Sequence, residues 1–258
     1  MLRLISRFLK KEKRERAKPR PASRAAQLIE ILQRKHVTEA EKEKKGKRKK
    51  VSLIFPRFRV YATHRFIALP SEVKTQVRYP LIEPYAYALI RYDAREHMLT
   101  YNVIEPVLSS EEKRMLEKIK LGLISLINVP LTAIKNREEL TRFLEENVQL
   151  LLDQYGFELS ADQYLRIMYY IYRDFVGLNE IEPLMQDPYI EDISVDGVGL
   201  PVYVLHQKYG SMRTNIVWND VEKLREFVVK LAERCDRYIS YAEPLLDGTL
   251  PDLSLIHI

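Results

Sequence analysis

The chain has 258 residues, with 42 lysine and arginine against 36 aspartate and glutamate residues and a formal net charge of +6. That length fits one large domain or two small ones, and 46% hydrophobic residues with only eight glycines exclude a collagen-like or wholly disordered chain. The single cysteine, Cys235, excludes an internal disulfide framework and a multi-cysteine metal site. We interpret it as a core thiol.

The first part of the chain differs sharply in charge from the rest. Residues 1–60 hold 21 basic and 6 acidic residues, whereas residues 61–258 hold 21 and 30, so the net charges are +15 and −9. A segment with so much charge and so few large apolar groups buries too little apolar surface to offset the conformational entropy that ordering would cost. The sequence therefore predicts a basic, largely disordered tail over residues 1–60.

Three interpretations of this tail stay open. It is a solvated segment, or it contacts an anionic membrane surface through Met1–Lys11, in which Leu2, Ile5, Phe8 and Leu9 share one helical face. Alternatively, its basic runs bind nucleic-acid phosphates. The last is the least favoured, because the acidic body repels a polyanion, and we do not expect nucleic acid as a partner.

No stretch of the chain predicts a membrane span or a secretory signal. The longest apolar run, Leu121–Leu131, is broken by Asn128 and Pro130 and falls short of the roughly 20 residues needed to cross hydrocarbon. The N-terminus has charges spaced through it where a signal peptide has an apolar stretch. We therefore expect a cytosolic protein.

The body shows alternating strand and helix signals. Residues 85–104 contain two β-rich runs around a polar turn, which predicts a hairpin. Four helix starts follow, each a polar N-cap with Glu or Gln three residues later. These starts pair Ser109 with Glu112, Asn136 with Glu139, Ser160 with Gln163, and Asn219 with Glu222.

Two of the helices carry apolar stripes typical of a core-facing side. The third helix has Tyr164, Ile167, Met168, Ile171, Tyr172 and Phe175, and the last has Val221, Leu224, Phe227, Val228, Leu231, Ala232 and Cys235. Residues 189–195 and 201–217 predict short strands with turns at Asp196-Gly197 and at 208–210. We predict an α+β fold of helices packed on a small, mostly antiparallel sheet, preceded by the disordered basic tail.

The residues by themselves indicate no catalytic set. A P-loop or a Rossmann glycine fingerprint is absent from the sequence, and no G-x-S-x-G elbow occurs. The five histidines are dispersed without metal-type spacing. The acidic pairs Glu138-Glu139 and Glu191-Asp192 are interpreted as solvated or capping residues. No metal site is therefore predicted.

One long motif nevertheless resembles a known family. Residues 172–197, YRDFVGLNEIEPLMQDPYIEDISVDG, closely resemble the N-terminal domain of type II/IV secretion-system ATPases, and most of all the archaeal branch that drives archaella and type IV pili. Four further segments agree, at 79–90, 103–112, 201–216 and 239–252. The resemblance covers about residues 78–252.

The resemblance implies the function. Members are hexameric cytoplasmic motors whose N-terminal module serves oligomerisation and partner docking and packs on a RecA-like core with Walker motifs. That core binds ATP and Mg, and movement passes to a membrane platform protein, so the implied location is the inner face of the cell membrane. This chain has no such core, so it is expected to bind no cofactor and not to hydrolyse ATP alone.

The resemblance also assigns candidate residues. It places Asp247, Gly248, Pro251 and Asp252 near the nucleotide cleft. We add His206 and Arg213 as candidates for a subunit interface, and the alternative is that both are ordinary surface residues.

The resemblance ends at residue 252, where the family continues with Gly-Ser-Arg and this chain with LSLIHI. We interpret residues 253–258 as a non-native tail, because they match the translation of a transposon end used in sequencing libraries. The predicted segments are thus 1–60, a hairpin segment 61–105, a helical subdomain 106–180, an α+β subdomain 181–252 leading to the missing core, and 253–258. The alternative to a motor fragment is a stand-alone, non-catalytic adaptor.

Overall fold

The computed structural model describes residues 55–62, 65–126, 136–239, 245–251 and 254–257. The chain divides after Ile54, and Phe55–Ile258 form one compact unit. Within this unit Phe58 is buried and Phe55 stacks on Tyr164 with ring centroids 4.3 Å apart. Two aromatic rings thus hold residues 55–58 against the core, whereas residues 1–54 of the predicted tail lie outside the described residues. The boundary at residue 60 stays a prediction. The proposed membrane-contacting segment Met1–Lys11 lies outside the described residues.

The fold is α+β, as predicted, with helices packed against a mostly antiparallel sheet. The strands are β1 Tyr61–Ala62, β2 Gln76–Glu83, β3 Ala86–Asp93, β4 Met98–Ile104, β5 Ile190–Ser194, β6 Pro201–His206, β7 Gly210–Val217, β8 Asp247–Thr249 and β9 Leu255–His257. The helices are α1 Ser110–Leu126, α2 Arg137–Tyr155, α3 Ala161–Ile171, α4 Glu182–Met185 and α5 Val221–Arg234, with a π-helix at Tyr172–Val176 and a 3₁₀ turn at Asn179–Ile181.

One seven-stranded sheet has the order β1-β2-β3-β4-β7-β6-β5. The predicted hairpin is confirmed by the antiparallel pairing of β3 with β4. Strand β4 then pairs in parallel with β7, with Thr100 opposite Arg213. Two segments that the sequence treats as separate, 61–105 and 181–252, thus contribute to the same sheet.

The helix starts show how local signals set these elements. Ser109 with Glu112 and Ser160 with Gln163 form reciprocal capping boxes, as predicted. Asn136 caps α2, although its side chain accepts from the amide of Glu138, one residue earlier than a capping box requires.

The predicted cap of the last helix is wrong by one residue. Asp220, and not Asn219, caps α5 by accepting from the amide of Glu222 at 2.9 Å. Asp and Asn have similar capping preference, so the choice falls to packing. Trp218, which precedes the cap, is buried and stacks on Phe227 of the helix.

The apolar stripe of α3 is confirmed as core. Tyr164, Ile167, Met168 and Ile171 are fully buried, and each such side chain contributes about 1.5–3 kcal/mol by leaving water. The stripe of α5 is confirmed only in part, because Phe227 is buried whereas its first member, Val221, is largely exposed. The last strand pair, β8–β9, joins Gly248 to Ile256, so part of the predicted non-native tail takes part in the fold.

Candidate functional site

A polar contact holds α5 against the π-helix. Turns of π type recur at functional sites, and here the carbonyl oxygens near the end of the π-helix accept from α5. Lys230 Nζ donates to the carbonyl oxygen of Asp174 at 2.6 Å. Arg234 donates to the carbonyl oxygens of the next two residues at 3.2 and 3.0 Å. Helix α5 therefore satisfies backbone groups that the π-helix leaves available.

Beneath this contact lies a buried set of charges. Arg173 donates to both carboxylate oxygens of Glu105 at 3.1 and 3.0 Å and to Asp174 Oδ1 at 2.7 Å. Lys120 Nζ lies 2.7 Å from Asp174 Oδ2. Burial by itself raises the pKa of Asp174, but Arg173 and Lys120 together hold it below its ordinary value. We call Glu105, Lys120, Arg173, Asp174, Lys230 and Arg234 the charged junction.

Lys230 is the perturbed member of the charged junction. Burial, reinforced by the neighbouring Arg234 cation, lowers the pKa of Lys230 to about 8. Its ammonium group also donates to Asn179 Oδ1 at 2.5 Å. A pKa near neutrality marks a functional candidate, but the two acceptors of Lys230 are a backbone carbonyl and an amide, which is the pattern of a structural contact.

A second buried polar cluster centres on Asp187. The hydroxyls of Tyr79 and Tyr101 both donate to Asp187 Oδ2 at 2.6 Å, and the amide of Tyr189 donates to Oδ1 at 2.9 Å. Burial and the adjacent carboxylate raise the pKa of both tyrosines well above the ordinary value. The hydroxyls stay protonated and tie β2 and β4 to the turn before β5.

The structure corrects the assignment of His206 to a subunit interface. His206 is only 1% exposed, and its ring lies between those of Tyr189 and Tyr209. Its Nδ1 accepts from the amides of Lys208 and Tyr209, so the proton resides on Nε2, 3.2 Å from the Tyr79 hydroxyl. Burial lowers the pKa of His206. The ring belongs to the core of the chain because stacking and these hydrogen bonds satisfy it there.

Arg213, the other interface candidate, lies at the surface. Its guanidinium donates to Glu96 Oε1 at 2.6 Å, and both side chains are partly exposed. This ion pair joins β7 to the turn between β3 and β4. The position is compatible with an interface, which stays a prediction for Arg213.

The predicted cleft residues lie at the β8–β9 pair. Asp247 is exposed and its Oδ1 lies 2.8 Å from His257 Nδ1, while Gly248 packs so closely on Cys235 that an added Cβ falls 2.9 Å from the cysteine Cβ. Cys235 is partly buried by this contact. Pro251 is exposed in the turn that follows β8, and Asp252 lies outside the described residues. Their role near a nucleotide stays a prediction.

A groove of about 930 Å³ runs between β5, α5 and the β8–β9 pair. We call it the β5 groove. Its apolar lining comes from Ile181, Leu184, Met185, Ile190, Ile193, Val195, Leu224, Phe227, Val228, Leu231, Leu250, Leu255 and Ile256. The polar lining residues are Asp187, Glu191, Asp192, Ser194, Ser254 and His257. The groove thus has an apolar floor with carboxylates at one wall.

Two classes of feature are missing from the part of the chain that the structure describes. No group of three or more His, Cys, Asp or Glu side chains is arranged to hold a metal ion there. Among the helices of these residues, none has both the length and the apolar composition required to cross a bilayer.

Comparison with known proteins places the chain in a family. It is 36% identical over 173 residues to the uncharacterized protein MJ1288 of Methanocaldococcus jannaschii, and the match covers 67% of this chain and 68% of MJ1288. The chain belongs to the MJ1288 family. No family profile matches it.

The shared region also occurs in longer relatives of the MJ1288 family. The chain is 30% identical over 214 residues to MJ0900 and 28% identical over 149 residues to MJ0781, both uncharacterized proteins of the same organism. It spans only 38% of MJ0900 and 20% of MJ0781. In these relatives the region is a minor part of a longer chain.

Sequence reasoning missed the charged junction and the Asp187 cluster. A signal for the first exists, because Arg173 and Asp174 interrupt the apolar stripe that runs from α3 to Phe175, and charges inside a stripe are buried only when paired. Glu105 lies 68 positions from Arg173 and Lys230 lies 56 positions from Asp174, so neither partner carries a local signal. For Asp187, the only signal in the sequence is its position just before a predicted strand.

Proposed function

We propose that the folded body is the N-terminal docking and oligomerisation module of a hexameric secretion-type ATPase. The observation that carries the proposal is that the segments resembling that family contact one another. Glu105, from the segment 103–112, pairs with Arg173 of the long motif. Tyr79, from the segment 79–90, donates to Asp187 of the same motif. The segments that resemble the family therefore pack together as one structural unit.

The lengths of the relatives support attachment to a further domain. MJ0900 and MJ0781 carry the shared region as 38% and 20% of their chains, which leaves ample length for a nucleotide-binding core. The 258 residues of this chain contain no P-loop. ATP and Mg would accordingly bind to a longer parent protein, and the module alone would bind neither.

The geometry suits a module that transmits movement. The charged junction fixes α5 to the π-helix, and the Asp187 cluster fixes the sheet to the turn before β5. Buried ion pairs and fully satisfied polar clusters resist local deformation. The module would therefore move as one body when an attached core changes its nucleotide state, and would pass that displacement to a membrane platform protein at the cytoplasmic face of the membrane.

Long-read sequencing of the gene past the codon for Asp252 tests this function first. An open frame that continues through Gly-Ser-Arg into a P-loop is the expected result, and it would mark residues 253–258 as foreign. The continued protein should hydrolyse Mg-ATP and elute as a hexamer in light-scattering chromatography. A stop codon after Ile258 in the gene, or ATP turnover by pure residues 1–258, would contradict the proposal.

The length of MJ1288 favours a second candidate, a stand-alone adaptor without nucleotide chemistry. Because 173 residues are 68% of MJ1288, about 80 of its residues lie outside the shared region. That is less than the roughly 100–150 residues of a common domain, so it leaves little chain for a RecA-like core. If sequencing of the gene finds a stop codon after Ile258, we expect the adaptor, and the full chain should bind a partner protein without any dependence on ATP.

A further inference from the structure

The β5 groove follows the edge of the main sheet. Strand β5 is the last in the order β1-β2-β3-β4-β7-β6-β5, so one of its sides pairs with β6. Every residue from Ile190 to Val195 lines the groove. The pairing of β5 with β6 is irregular between Ile190 and Asp192 and regular from Asp192 onward. A sheet face presents only alternate residues of a regular strand, so the consecutive lining residues from Asp192 to Val195 indicate that the groove runs along the other side of β5. In the described part of the chain, that side has no neighbouring strand.

An unpaired edge with an apolar floor is a template for strand addition. Edge strands offer a row of backbone N–H and C=O groups to another chain, and proteins commonly protect them. Here Leu224 and Val228 of α5 and Met185 of α4, which are only partly buried, form the floor beside the edge, and the buried Phe227 and Leu184 lie behind them. These side chains would receive every second side chain of an added strand, since alternate residues point to opposite faces.

The charge of the groove selects among possible occupants. Glu191 and Asp192 line it and are exposed, and Asp187 lies deeper. Among the described residues that line the groove, none is Lys or Arg, and His257 is paired with Asp247. A carboxylate-lined wall attracts cationic side chains and repels acidic ones.

We infer that the β5 groove binds an extended segment of a partner protein by β-strand addition, and that this segment alternates apolar and basic side chains. Backbone hydrogen bonds to β5 supply affinity, whereas the floor and the Glu191-Asp192 pair supply specificity. A bound helix would leave the edge of β5 unpaired, so an extended segment fits better. This inference goes beyond the proposed function, because β5, α4 and α5, which carry it, all precede residue 253 and it requires neither nucleotide nor an ATPase core.

The test uses the full chain and the amidated peptide Lys-Val-Lys-Val-Lys-Val-Lys in isothermal titration calorimetry. Two versions of the peptide carry N-methyl groups on alternate residues, one set on the lysines and one on the valines. An added strand turns alternate amides toward its neighbour, so one N-methylated peptide should lose binding and the other should keep it. Hydrogen exchange should slow at the β5 amides when the unmodified peptide binds.

Matched charge reversals locate the binding. Glu191→Lys with Asp192→Lys should raise the peptide Kd by about tenfold or more. Glu138→Lys with Glu139→Lys, an equally exposed pair at the start of α2, should leave the Kd within about twofold. Thermal melts followed by circular dichroism check that both double variants fold.

Several outcomes would overturn the inference. One is the absence of peptide binding up to about 1 mM. Others are equal binding of both N-methylated peptides, or the same loss in both charge-reversed variants. If the apolar dye ANS binds in the groove and the peptide does not displace it, the groove holds a small apolar ligand instead. Because no nucleotide enters these experiments, their failure is distinct from failure of the ATPase proposal.

Discussion

One side of α5 carries Lys230 and Arg234 into the charged junction, whereas the side that holds Leu224, Phe227 and Val228 lines the β5 groove. In the junction, Lys230 and Arg234 donate hydrogen bonds to backbone carbonyl oxygens. The neighbouring Asp174 forms ion pairs with two other cations, Lys120 and Arg173. In the groove, apolar side chains lie beside Glu191 and Asp192, and no described Lys or Arg lines it.

The contrast separates what holds the module together from what is available to a partner. A buried charge without a partner costs several kcal/mol, so the satisfied junction indicates a structural role. An apolar groove with unpaired carboxylates costs the isolated chain little free energy, because the carboxylates at its rim are in contact with water. Each of the following predictions probes one side of this difference, beginning with the largest expected effect.

Removal of the central guanidinium should cause the greatest loss. Arg173→Ala removes the Nη1 group that donates to both oxygens of Glu105 and leaves Asp174 with Lys120 alone, and breaking a buried ion pair in this way costs about 3–5 kcal/mol. Urea unfolding followed by circular dichroism measures the change in free energy of unfolding. A loss below about 1 kcal/mol would show that water already screens the junction.

The next largest loss of stability is expected at Gly177, which packs closely against its neighbours beside the charged junction. An added Cβ at Gly177 falls 2.6 Å from Cδ of Glu182 and 2.8 Å from the carbonyl oxygen of Arg173. Glu182 is buried and holds the amide of Leu178, so it has little room to move. Gly177→Ala should therefore lower the free energy of unfolding by about 1–3 kcal/mol. Unchanged stability in the same urea titration would mean that this turn repacks freely.

Lys230 should give the module a distinctive pH dependence. Its pKa is about 8 in the folded chain against 10.5 for an ordinary lysine. Between these values the unfolded state binds more protons, so the Lys230 contribution to stability is complete above about pH 10.5 and is lost as the pH falls through 8. The wild type should gain up to roughly 1.4 kcal/mol per pH unit over this window relative to Lys230→Met.

The comparison with Lys230→Met removes the tyrosine contributions, which both proteins share. Urea unfolding at several pH values between about 7.5 and about 10.5 measures the difference in the free energy of unfolding between the two proteins. If wild type and variant show parallel pH profiles, the ammonium group is better hydrated than its contacts with Asp174 and Asn179 indicate.

The smallest effect is expected at the surface ion pair. Arg213 and Glu96 are both partly exposed, and pairs of this kind contribute about 0.2–1 kcal/mol. Arg213→Ala should therefore lower the free energy of unfolding by less than about 1 kcal/mol, and it serves as the control for Arg173→Ala. If the substitution instead changes the oligomeric state of a longer parent protein, measured by light scattering, the interface prediction for Arg213 gains support.

Local signals predicted most of the elements but not their assembly. The Ser160-Gln163 capping box, the α3 stripe and the β3–β4 hairpin each involve residues within a few positions of one another, so sequence spacing reveals them. The parallel pairing of Thr100 with Arg213 joins residues more than a hundred positions apart and has no local signature. His206 shows the same limit, since its burial depends on Tyr79, Tyr189 and Tyr209.

By itself, the sequence determined the α+β class, the helix starts within one residue and the basic character of residues 1–60, because capping, periodicity and charge act over short distances. Only the tertiary structure decided that Arg173 pairs with Glu105, that Asp187 accepts hydrogen bonds from two tyrosine hydroxyls, and that β5 lies at the edge of the sheet beside an apolar groove. Such contacts join distant residues, and the entropy of closing a loop varies only slowly with its length. The partner of a buried group is therefore set by the fold as a whole.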